Sequence, residues 1–259
     1  MLALLLALLG FASAAQAQIA DINTAINKAG RERMLSQRMA KAYFQIGQGI
    51  DLYRSQRVLD NSIALFDRQL VELKNFAPNA EIRDTYLLLE RAWIAYKDAL
   101  VGAPPSQDRG KRVLELSEEV LALAHQGTMQ LERVSGTIAG RLVNVSGRQR
   151  MLSQRMAKFY QGIAWGIGGP EAMTELDKAR QEFTAALQEL ISAPINTPEL
   201  LRELDLVKQQ WFFFEEALNQ RNLNTATNHG KTLATNVATT SERILETMEG
   251  IVAMYEKQP

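Results

Sequence analysis

Arg33 and Arg150 stand where an uncharged side chain is expected, and a guanidinium in such a place can do chemistry. Arg33 lies in Gly30-Arg-Glu-Arg-Met-Leu-Ser-Gln-Arg-Met-Ala-Lys41. Arg150 lies in Gly147-Arg-Gln-Arg-Met-Leu-Ser-Gln-Arg-Met-Ala-Lys158. The two blocks agree at eleven of twelve positions and are 117 residues apart, which marks a tandem duplication. Asn27 and Asn144 precede the glycines by three residues, and Tyr43 and Tyr160 follow the lysines by two.

Alternating steps of three and four residues from Ile19 pass through Ile26, Ala29, Arg33, Ser36, Ala40 and Tyr43. The same walk from Gly136 passes through Val143, Ser146, Arg150, Ser153, Ala157 and Tyr160. Each is a helix seam, apolar or small except for one arginine. The small neighbours, with Gly30 and Gly147 just beside the seam, let a second helix come close.

A guanidinium keeps its charge, and burying it unpaired costs several kcal/mol. Three outcomes are open: it snorkels to the surface, it pairs with an internal carboxylate, or it pairs with a bound anion. The seam carries no acidic residue fixed in both copies, since Glu32 becomes Gln149. A planar oxyanion suits the guanidinium fork, which offers two parallel hydrogen bonds. Gln37 and Gln154, one turn on, are placed to orient an anion or to pack. Arg31, Arg38 and Lys41, with Arg148, Arg155 and Lys158, fall off the seam and read as solvated or ion-paired.

The elements that position these residues follow from the prolines. All seven (Pro78, Pro104, Pro105, Pro170, Pro194, Pro198, Pro259) separate long proline-free stretches with helical apolar periodicity. Helices are predicted at about 19–53, 57–75, 80–101, 107–167, 171–192, 198–220 and 225–256. The fold class is all-α: two tandem antiparallel four-helix bundles, joined end to end through a long shared central helix. An unbroken helix over 107–167 would be roughly 90 Å long, with Gly136 and Gly140 able to bend it. The expected division is 1–17, 18–133 and 134–259.

Residues 1–17 read as a signal peptide. Their apolar run is shorter than the ~20 residues of a spanning helix and ends in Ala15-Gln16-Ala17, a small-x-small cleavage pattern. The expected location is the periplasm, with an uncleaved N-terminal anchor as the alternative. The absence of cysteine excludes disulfides and thiolate chemistry, and equal acidic and basic totals of 29 argue against a nucleic-acid binder. His125 and His229 read as helix-surface residues. With no catalytic triad, phosphate loop or metal cluster in view, neither an enzyme nor a cofactor is expected.

Ile26-Asn27-Lys28-Ala29-Gly30, Arg33-Met34, Ser36 and Arg38, matched in the second copy by Asn144, Ser146-Gly147, Arg150-Met151, Ser153 and Arg155, resemble a known element. It is the P-box of NarX-type nitrate/nitrite sensor domains and of the PilJ-type N-terminal domain of type IV pili chemotaxis transducers. The resemblance implies a four-helix bundle that dimerises through its first helix and binds nitrate, or nitrite more weakly, between paired arginines. It assigns Arg33 and Arg150 to the anion, with Gly30 and Gly147 giving backbone contacts; Ser36, Ser153, Gln37 and Gln154 complete the candidate set. The partners it implies are a small inorganic anion, a second copy of the chain and a membrane sensor. The chain carries two such units and no kinase or chemoreceptor region of its own. The two units either bind separate anions in a homodimer or fold back on each other. The competing reading is a helical adaptor whose seam arginines meet a partner's carboxylates.

Overall fold

The computed structural model describes residues 19–220 and 225–258, so the expected signal peptide lies outside the described residues. Among the described residues there are eight helices and no strand: α1 Ile22–Gly47, α2 Leu52–Phe76, α3 Ala80–Val101, α4 Gln107–Ser135, α5 Ile138–Ala164, α6 Gly169–Ile191, α7 Pro198–Asn219 and α8 Asn228–Glu256. The all-α, tandem-bundle expectation holds. Local chemistry sets the starts: Asp21, Asn79 and Thr197 each accept the backbone N–H three residues on, the last just ahead of Pro198. The first break comes earlier than expected, at 48–51, because Gly49 takes φ 68° and Asp51 φ 39°.

The shared central helix is the main correction. No proline interrupts 107–167, yet the helix stops at Ser135. Gly136 adopts φ 60° and its N–H closes on the Glu132 carbonyl, a left-handed C-cap. Thr137 then caps α5 through the Gly140 N–H. A glycine that can turn left-handed, followed at once by a capping threonine, ends a helix without proline. The chain folds back there, so the repeats lie side by side rather than end to end.

Helices α1 and α5 form the centre of the result. They pack against each other in parallel: Gly30 faces Gly147, Lys41 reaches Gln154 and Gln48 reaches Gln161. Eighteen of the 26 residues of α1 and 21 of the 27 of α5 are buried, against nine of 25 in α2, so the repeated helices are surrounded on nearly every side. Helices α2 and α4 flank α1, and α6 and α8 flank α5. The face expected to join two copies of the chain is therefore buried against the chain's own second repeat. Phe66 and Phe183 are 117 residues apart in the sequence and Trp93 and Trp211 118, and the outer cores they form match: Phe66 stacks on Trp93 at 4.1 Å, and Phe183 on Trp211 at 4.5 Å.

One core position breaks the match. Gln149 donates to the Phe183 carbonyl at 2.9 Å, whereas Glu32 is wholly buried with neither carboxyl oxygen partnered. Burial holds that carboxyl protonated well above its ordinary value of 4.5. Its folded pKa exceeds its unfolded one, so its stability is complete below the unfolded pKa and is lost as pH rises toward the folded value, by about 1.4 kcal/mol per pH unit. Glu32→Gln is expected to remove that slope. Denaturant midpoints at pH 5 and pH 8 check it: the variant should gain on the parent at pH 8 and much less at pH 5.

Candidate functional site

The repeated block builds its site by close approach. A Cβ on Gly30 would lie 3.2 Å from Arg33 Nη2, 3.4 Å from Arg150 Nη2 and 3.8 Å from the Gly147 Cα. On Gly147 the same test meets Arg150 Nη2 at 3.2 Å and Arg33 Nη2 at 3.6 Å. Glycine at both positions thus leaves room for two guanidinium groups over the helix crossing. Both arginines are fully buried. Each reaches across to the other helix: Arg33 Nη2 donates to the Asn144 carbonyl (3.2 Å) and Oδ1 (2.7 Å), and Arg150 Nη2 to the Asn27 carbonyl (3.1 Å). The Nε of each has no partner.

The fourth helix of each repeat supplies the surroundings, and it serves the opposite repeat. From α8, Glu242 accepts from Lys41 Nζ (2.5 Å) and from Arg38 through Nε (3.1 Å) and Nη2 (2.5 Å). From α4, Glu118 accepts from Lys158 and from Arg155. Asn27 donates to Glu256 at 2.6 Å, and Asn144 donates to Glu132. Lys41 and Lys158 are buried, so these off-seam cations are structural ion pairs rather than solvated groups. Burial lowers both lysines to about 8 against the pull of their glutamates. Burial pushes Glu242 up, but Lys41 and Arg38 outweigh it and hold the carboxyl at about 2.

The symmetry fails at one pair of residues. Glu249 on α8 accepts Arg31 through Nε (3.1 Å) and Nη2 (2.7 Å), and also Arg150 Nη1 (2.7 Å). Its counterpart on α4 is His125, as Glu242 answers to Glu118 and Glu256 to Glu132. His125 Nδ1 lies 3.2 Å from Arg33 Nη1. A guanidinium only donates, so this nitrogen accepts and the ring is neutral. Partial desolvation of the ring, then Arg33 and Arg148, lower its pKa to about 4, although the residue as a whole is exposed. Arg150 is thus neutralised by a carboxylate and Arg33 is not. Burial, reinforced by Arg148 and Arg150, brings Arg33 down to about 9, which leaves it charged at neutral pH.

The structure brings Arg33, Arg150, Gly30 and Gly147 together. The hydrogen bonds of the other candidates run elsewhere. Ser36 and Ser153 donate to the Arg33 and Arg150 carbonyls of their own helices. Gln37 donates to the Ser117 carbonyl, and Gln154 to that of Ser241 while accepting from Lys41. The sequence reading missed His125, Glu249, Glu118 and Glu242. A faint signal existed: Ser117-Glu118 and Ser241-Glu242 are each followed fourteen residues after the glutamate by another, Glu132 and Glu256, with His125 and Glu249 midway.

A family model described as "Type IV pili methyl-accepting chemotaxis transducer N-term" (PilJ) matches residues 15–118 and, again, 137–241. Neither the curated proteins nor the solved structures compared with the chain gave a match.

Proposed function

The chain belongs to the PilJ family of sensor-type domains, carried here twice, and from that premise we propose that it binds one small planar oxyanion, nitrate or nitrite, between Arg33 and Arg150. One observation carries the reading: two buried guanidinium groups converge over a glycine pair, and only one of them has a carboxylate. Like charges this close repel, and an anion shared between them removes the repulsion while giving the open Nε–H groups an acceptor. Helices α1 and α5 of a single chain supply both arginines, so one chain is a complete binding unit and takes the role of a homodimer. We place the protein in the periplasm, handing its ligand-bound state to a membrane partner. Among the described residues no helix is long and apolar enough to cross a membrane.

The adaptor reading has a specific observation in its favour, the Arg150–Glu249 ion pair, which satisfies one arginine internally. A thermal-shift series separates the two. Nitrate is expected to raise the melting temperature with the logarithm of its concentration above the dissociation constant, with about 2.7 kcal/mol of added stability at 100 times that constant. Chloride at equal ionic strength should do little. Equal effects of both salts would leave the adaptor.

A further inference from the structure

The exchange of Glu249 for His125 leaves a second cation without an anion. Arg31 is held by both oxygens of Glu249. Its counterpart Arg148, partly exposed on α5, has no ion pair or hydrogen bond among the described residues, and its Nε is buried without a partner there. Arg148 and His125 both line a groove of about 430 Å³ between α4, α5 and α6. The tautomer is set by Arg33: with Nδ1 accepting, the ring proton sits on Nε2, which no protein group takes up. The groove therefore offers a guanidinium and an imidazole N–H, where the other repeat holds a glutamate.

We infer that the groove beside His125 and Arg148 is a binding site for a small carboxylate, whose carboxyl group takes the part that Glu249 plays toward Arg31. The ligand class is read from the protein's own second repeat: the group that satisfies the equivalent arginine is a carboxylate held by Nε and Nη2. The acidic walls do not supply it. Glu118 is engaged by Arg155 and Lys158, and Glu175 by Arg155 and Lys178. Glu182 also lines the groove but forms no ion pair with Arg148. This site is separate from the one between Arg33 and Arg150. Arg148 does not belong to that pair, so either site can fail without the other.

The test is calorimetric titration of the protein with acetate and, separately, with nitrate. Acetate is expected to bind saturably, and Arg148→Gln to weaken it at least about tenfold while nitrate binding persists. Because Arg148 makes no hydrogen bond within the protein, this variant should fold normally. His125→Glu installs the counterpart of Glu249; it is expected to abolish acetate binding and raise the melting temperature. Glu249→His is expected to create a second acetate site, at Arg31. Glu182→Gln removes a competing carboxylate from the groove wall and should tighten acetate. Absence of saturable acetate binding to the parent protein, or equal affinity in Arg148→Gln, overturns the assignment.

Discussion

Glu242→Gln is expected to destabilise the protein by about 3–5 kcal/mol, among the largest effects of any single substitution here. Glu242 is buried and holds two cations, Lys41 and Arg38, that reach it from α1. Lys41 has nowhere else to place its charge: its remaining partners are the Gln154 and Ser241 oxygens, both neutral. An amide at 242 leaves that ammonium uncompensated in the interior. Lys41→Met should cost much less, because Glu242 keeps Arg38 and the methionine fills the space. Chemical denaturation of the two variants gives the comparison, and equal losses would contradict it. The same pair fixes an acid limit. The folded pKa of Glu242 lies at about 2, below the ordinary 4.5. Its stability is present above the unfolded value and disappears as pH falls through that interval.

The second large effect separates the roles of the central arginines. Arg33 is fully buried with no carboxylate, so in the absence of ligand it is a liability to the fold. Arg33→Met is expected to leave the unliganded protein as stable as the parent or more so, by up to about 4 kcal/mol, while removing nitrate binding by about a hundredfold or more. Arg150→Met also removes binding. It gains less stability, because Glu249 retains only Arg31 and the favourable Arg150–Glu249 pair is lost. A structural arginine behaves in the opposite way, losing stability and leaving no ligand effect. Melting curves with and without nitrate on both variants distinguish the two patterns.

These expectations rest on features that differ in how openly the sequence displays them. The duplication, the helix-breaking prolines, the matched Phe–Trp cores and the seam arginines are local patterns, and periodicity reads them directly. The fold-back is not local in that sense. It depends on one backbone angle at Gly136, in a stretch whose apolar spacing continues on both sides of it, so the pattern alone favoured an unbroken helix. From that single turn follows the pairing of α1 with α5, and with it the burial of the face expected to join two chains.

The charged surroundings were hidden for another reason. Lys41 and Glu242 are 201 residues apart, and Arg31 and Glu249 are 218 apart. They meet only because each fourth helix serves the other repeat. Fourth-helix equivalents are offset by 124 residues and first-helix equivalents by 117. Aligning the blocks at a single spacing therefore misses the correspondence of His125 with Glu249. That correspondence gives the site its asymmetry: one arginine is paired with a carboxylate and the other is not.

One chain is expected to form one composite anion site from its two repeats. Calorimetric titration with nitrate, on protein whose mass in solution is measured by sedimentation in the same buffer, tests it most directly. A monomer that binds one nitrate per chain is expected, with the heat abolished in Arg33→Met and in Arg150→Met alike. Two nitrates per chain, one lost with each arginine, or binding only in a dimer, would contradict it.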